Sequence, residues 1–213
     1  MGKKIAVPER NSYIIFYSRG GLSLNFSAGN LLLVDCFQHG TTAFNRRLGV
    51  SMTFAELQQY DVGRLKPGTD YAKSFPDQQP VDGTRIPKLA DLFDLVKASG
   101  NTRVGLDCET KTSPLEAAAT LPPDEFARKA IAEIRKAGME RRTMIQSFDW
   151  RTLQVVQKEA PEIRTMYLTS PRTLAPTRGG QPSPWLAGFG PELHGGWVPR
   201  PVHAAGGSIW APN

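Results

Sequence analysis

Residues 103–114, Arg-Val-Gly-Leu-Asp-Cys-Glu-Thr-Lys-Thr-Ser-Pro, decide how the rest of this chain is read. They predict a short apolar strand, residues 103–108, that ends in a carboxylate, Glu109, and an amine, Lys111. In an extended chain Glu109 and Lys111 alternate with Thr110, so they point to the same face, one step past the apolar part. A carboxylate and a cation converging at a strand's C-terminal end suit a metal-assisted site for an anionic substrate in an α/β barrel. Taken alone, the pair reads first as a surface ion pair at a strand end, and the neighbouring segments have to decide.

Working outward, Leu89, Leu92, Phe93, Leu95 and Val96 form a 3.6-period stripe closed by Gly100, which predicts a helix over 88–98 feeding the strand. Downstream, Pro122 and Pro123 open a helix over 123–137, with Phe126, Ala130, Ile131 and Ile134 on one side and Gly138 at its end. A strand over 143–148, a helix over 151–160 stopped by Pro161, and a strand over 164–168 follow. Strand alternating with helix, joined by connections of a few residues, calls for parallel strands and right-handed crossovers. The expected class is α/β, either a barrel or an open sheet.

The flanks are less regular. Residues 171–213 hold eight prolines and eight glycines in 43 residues, which leaves room for a short helix near 199–205 and a strand over 208–210. Upstream, Thr53 with Glu56 makes a capping-box spacing for a helix over 54–60, and residues 61–83 form a long Pro- and Gly-bearing loop expected to cover something. Residues 13–17 and 31–36 read as buried strands separated by a Gly- and Ser-bearing stretch, residues 18–30.

A chain of 213 residues with 40% hydrophobic content buries a real core, yet it is short for a complete eight-fold barrel. The net charge is +6, but residues 1–50 carry six basic residues against two acids, so the other 163 residues carry only +2. That is the balance of an ordinary soluble domain, and no Lys/Arg run interleaved with aromatics points to nucleic acid. Cys36 and Cys108 match no metal-ligand spacing and make no disulfide framework. No stretch approaches the roughly 18 apolar residues of a membrane span. The apolar run over 13–17 follows Glu9 and Arg10 and makes no convincing signal peptide, so the expected location is the cytoplasm.

Residues 144–150, Met-Ile-Gln-Ser-Phe-Asp-Trp, end the next strand along and place Gln146, Ser147 and Asp149 near the rim of Glu109 and Lys111. By itself Ser-Phe-Asp reads as a strand end followed by an Asp helix cap. The ordered set is more specific: Arg85-Ile-Pro before a helix, then Glu-Thr-Lys ending a strand, then Gln-Ser-Phe-Asp ending the next. With Ala55-Glu-Leu-Gln-Gln-Tyr-Asp-Val-Gly, Phe75-Pro-Asp-Gln-Gln-Pro-Val-Asp-Gly-Thr-Arg-Ile-Pro and Ser183-Pro-Trp-Leu-Ala-Gly-Phe, the chain resembles a bacterial branch of the glycerophosphodiester phosphodiesterases over about residues 52–213.

That resemblance implies a TIM-type barrel, a divalent cation (Mg²⁺ or Ca²⁺), and hydrolysis of a small glycerophosphodiester to glycerol 3-phosphate and an alcohol. It matches Glu109 to the family's metal-binding glutamate and Lys111 to the lysine that meets the substrate phosphate. It further implies a histidine pair for acid and base work, one in His-Arg-Gly and one in His-Asp, and metal ligands in Pro-Glu-Asn-Thr and Glu-x-Asp motifs. Here the sequence departs: Ser18-Arg19-Gly20 stands where His-Arg-Gly is expected, and Pro-Glu-Asn-Thr is absent. His39, followed by Gly40, is left as the catalytic candidate, and Asp35 as a further metal ligand, although no Glu stands two residues before it. His194 and His203, in the tail, read as surface or rim residues.

The expected organisation is therefore an atypical segment, residues 1–50, frameshifted or chimeric in origin, followed by a barrel domain over 51–213 that is incomplete at both ends. The competing reading is a catalytically inactive fragment or relative that at most binds a phosphorylated ligand or partner through Glu109 and Lys111. Relatives are often exported, which leaves the periplasm open for an intact relative.

Overall fold

The computed structural model describes residues 87–117 and 121–212, parts of 55–85, and the backbone of three strands nearer the N-terminus. In chain order the strands are β1 (Ser12–Tyr17), β2 (Ser23–Ala28), β3 (Leu31–Asp35), β4 (Gly105–Glu109), β5 (Thr143–Ser147), β6 (Arg164–Thr169) and β7 (Ile209–Pro212). The helices are α1 (Leu89–Ala98), α2 (Pro123–Ala137), α3 (Trp150–Glu159) and the short α4 (Pro171–Leu174) and α5 (Pro199–Ala204). All seven strands form one sheet in the order β2-β1-β3-β4-β5-β6-β7. From β1 through β7 every neighbouring pair is parallel, and only β2 runs antiparallel, against β1. A parallel sheet with a helix after each of β4, β5 and β6 is the arrangement of a (β/α) barrel left open, as the alternation predicts.

Helix boundaries follow from local chemistry. Asp91 Oδ2 accepts the Lys88 backbone N–H at 2.8 Å at the start of α1. Pro123 opens α2 with Asp124 and Glu125 in the first turn, and Gly138 closes it in the left-handed conformation (φ 63°), which costs a glycine nothing. Arg128 then joins α2 to α3, reaching Asp124 at 2.8 Å and Glu159 at 3.1 Å.

Alternation along β4 sorts the sheet's two faces. Leu106 and Cys108 are fully buried and join Phe93, Ile131, Ile134, Ile145, Trp150, Leu153 and Tyr167 in the core between sheet and helices. Asp107 and Glu109 therefore lie on the opposite, inner face of the sheet, away from that core. On the helix side Trp150 meets Tyr167 edge-on at 4.8 Å between centroids and donates its Nε1–H to the Leu168 carbonyl at 3.0 Å.

Several elements differ from the sequence reading. The stretch over 18–30 contains a strand, β2, whose alternation Ser-Leu-Asn-Phe-Ser-Ala is the period-two signal that the flanking glycines obscured. The Pro- and Gly-rich tail carries, besides the expected helix and strand, α4 and two 3₁₀ turns, Pro184–Leu186 and Pro191–His194. Each of these three starts on a proline at its first turn, where the missing N–H costs nothing. The terminal strand is Ile209–Pro212 rather than 208–210, and Trp210 Nε1–H anchors it to Thr169 Oγ1 at 2.8 Å. The helix expected over 54–60 lies mostly outside the described residues. Within the long loop, Asp61 accepts the backbone N–H groups of Gly63 at 2.9 Å and Gly83 at 2.6 Å, so one carboxylate closes both ends.

Candidate functional site

The C-terminal ends of β4 and β5 are stitched together outside the inner face. Ser147 Oγ donates to the Thr110 carbonyl at 2.7 Å, and the Thr110 N–H donates to the Gln146 carbonyl at 2.9 Å. The Thr110 and Thr152 hydroxyls lie 2.7 Å apart, and Thr112 Oγ1 donates to Asp149 Oδ2 at 2.7 Å. Asp149 also caps α3, accepting the Arg151 backbone N–H at 3.3 Å, and it holds the Arg151 guanidinium at 2.6–2.8 Å. Thr110, Thr112, Ser147, Asp149 and Thr152 are all buried. With Thr110 and Thr112 turned outward into this network, strict alternation leaves Glu109 and Lys111 on the inner side.

Lys111 Nζ lies 3.5 Å from Glu109 Oε2, with the glutamate nearly buried and the lysine partly open to solvent. The two residues that the sequence brings to one face are thus in direct contact at the strand's C-terminal end. Gln146 is the register neighbour of Glu109 on β5, and Asp35 is its register neighbour on β3. Asp35 therefore stands at the rim level of Glu109 along the backbone. His39 lies outside the described residues.

Sequence reasoning missed Asp107. The residue is 4% exposed, shares the inner face with Glu109, and has one carboxyl oxygen, Oδ1, that meets no hydrogen-bond partner. Burial first, and the adjacent Glu109 charge second, push it up to about 8. The signal was present in the same two-residue alternation that singles out Glu109 and Lys111.

A hard divalent cation takes oxygen ligands, carboxylates above all. Glu109 together with an orphaned buried carboxylate oxygen two residues away is a donor set that fits one, although no cluster of three or more His, Cys, Asp or Glu occurs among the described residues.

Residues 39–196 match the model of the glycerophosphoryl diester phosphodiesterase family. This chain belongs to that family. Among solved structures it is similar to a glycerophosphoryl diester phosphodiesterase from Silicibacter pomeroyi, with 28% identity, a TM-score of 0.64, and coverage of 95% of this chain and 64% of that one. A glycerophosphodiester phosphodiesterase from Galdieria sulphuraria matches at 14% identity and a TM-score of 0.48 over 95% of this chain and 61% of that one. One from Agrobacterium tumefaciens matches at 17% and 0.46 over 98% and 65%. The chain spans less than two thirds, 61–65%, of the length of these relatives. No curated protein sequence matches it. Membership agrees with the open barrel: the family model spans β4, β5 and β6, and with them Glu109 and Lys111.

Proposed function

We propose that this chain is a divalent-cation-dependent phosphodiesterase that hydrolyses glycerophosphodiesters to glycerol 3-phosphate and an alcohol. The observation that carries the reading is the Glu109–Lys111 pair, 3.5 Å apart at the C-terminal end of a central parallel strand, where barrel enzymes place their chemistry. Glu109 would hold the cation (Mg²⁺ or Ca²⁺), with Asp35 as a second ligand from the adjacent strand. When bound, the cation supplies Lewis-acid polarisation of the phosphoryl oxygens. Lys111 contributes a positive charge to the phosphate as negative charge builds on it, and the Thr110 and Thr112 anchors hold the chain on either side of it. His39 is the proposed proton-transfer group.

We assign the barrel portion to residues 51–213 and residues 1–50 to an atypical segment that contributes Asp35, on the strand beside β4, and His39 to the catalytic rim. The substrate is a small molecule, and no helix among the described residues is long and apolar enough to cross a membrane. Phosphorus NMR of glycerophosphocholine incubated with the chain and Mg²⁺ or Ca²⁺ tests the assignment. Conversion of the diester resonance to that of glycerol 3-phosphate supports it; an unchanged diester with either cation refutes it.

A further inference from the structure

The orphaned carboxylate beneath Glu109 carries an inference beyond this reading, on whose cation it rests. Asp107 sits on the inner face of β4, two residues or roughly 6.6 Å below Glu109 along the strand. Its register neighbours are Leu33 on β3 and Met144 on β5, both apolar residue types. Arg164, one strand further along the same row beyond Met144, is exposed. A buried polar oxygen without a partner is destabilising, because it gives up its hydration and gains no bond in return. A carboxylate is the residue type for which an isolated burial is least tolerated. The same strand would be better served by an apolar residue if packing alone were at stake.

We propose that Asp107 is a cation-binding residue: its free Oδ1, together with the Glu109 carboxylate, provides oxygens from two levels of β4 to one divalent cation. Side chains two apart on a strand lean along it, and two carboxylates span the gap with an ion whose oxygen contacts are each about 2.0–2.6 Å, directly or through one retained water. The cation supplies the partner that Asp107 Oδ1 lacks and offsets the repulsion between the two carboxylates. Asp107 is too deep to reach the substrate's phosphate ahead of Glu109 and Lys111, so it acts through the ion.

The test is calorimetric titration of the intact chain with Ca²⁺ and with Mg²⁺, without substrate, alongside the Ca²⁺-induced rise in melting temperature. Asp107→Asn and Asp107→Ser, two neutral replacements of different size, are compared with Glu109→Gln and wild type, with folding checked by circular dichroism. The expected result is cation affinity at least 10-fold weaker in both Asp107 variants and in Glu109→Gln, with the melting shift lost in step. A purely structural Asp107 would alter the melting temperature without cation and leave the cation-induced shift intact. Wild-type affinity in the Asp107 variants, with loss in Glu109→Gln, overturns the inference and leaves the proposed function standing. Loss in the Asp107 variants with none in Glu109→Gln overturns the shared site. Absence of cation binding by the wild-type chain overturns both the inference and the cation dependence of the proposed function.

Discussion

Thr112 donates a 2.7 Å hydrogen bond to Asp149 across 37 residues of sequence, joining the segment that carries Lys111 to the N-terminal cap of α3. Both groups are buried, so the bond is made in an environment where an unmade one is expensive. Thr112→Val is expected to destabilise the chain by about 1–3 kcal/mol. Asp149→Ala removes the helix cap as well and is expected to cost roughly 2–4 kcal/mol. Urea unfolding followed by far-ultraviolet circular dichroism measures both.

The same bond predicts a catalytic signature. Thr112 is buried, bonded to Asp149 and turned away from the Glu109–Lys111 face, so Thr112→Val is expected to act by loosening Lys111. kcat/KM for glycerophosphocholine should fall while the cation dependence of the rate keeps its midpoint. A shifted cation midpoint with unchanged kcat/KM would show that the anchor serves Glu109 instead.

Lys111 is expected to act as a charge on the developing phosphoryl oxygens. Lys111→Ala should lower kcat/KM by about 10²–10³, the scale of one lost transition-state contact. Lys111→Arg keeps the charge but changes its shape and reach, and should recover only part of the rate. Steady-state assays on the two variants give the comparison directly.

Tyr167 makes stability depend on alkaline pH. Its hydroxyl is buried among Gln154 Nε2 (2.8 Å), Gln157 Oε1 (2.9 Å) and the Ala205 carbonyl (3.0 Å). Burial pushes the phenol up to about 12, while the two glutamine hydrogen bonds pull the other way. An unfolded tyrosine titrates near pH 10. Between about pH 10 and 12 the native state holds the proton that the unfolded state has released, so stability falls as pH rises through that window and levels off above it. Tyr167→Phe should remove this slope while costing about 1 kcal/mol at neutral pH. The difference between wild-type and variant urea midpoints at pH 8 and pH 11 isolates the effect from other titrating groups.

Much of the fold is legible in the sequence because its signals are local. The 3.6-period stripe of α1, Pro123 and Gly138 at the ends of α2, and the apolar runs of β4 to β6 each specify their own element. Glu109 and Lys111 are legible for the same reason, since two-residue alternation fixes which face they share. Asp107 obeys the same alternation, yet a single Asp inside a strand gives no hint that it will lack a partner. That depends on Leu33 and Met144 flanking it, a fact of register. The Thr110, Thr112 and Asp149 anchors were hidden likewise, because their partners lie 37 to 42 residues away. Strand β2 was lost among glycines, and the tail's short helices among prolines that in fact start them.

The central claim is that Glu109 holds a cation that drives phosphodiester hydrolysis. Its most direct test is the rate of glycerol 3-phosphate release from glycerophosphocholine as Mg²⁺ or Ca²⁺ is raised, for wild type and for Glu109→Ala. The account predicts saturable, chelator-sensitive release by wild type and loss of at least 10²-fold in Glu109→Ala. Equal rates in the two proteins, at any cation concentration, would contradict it.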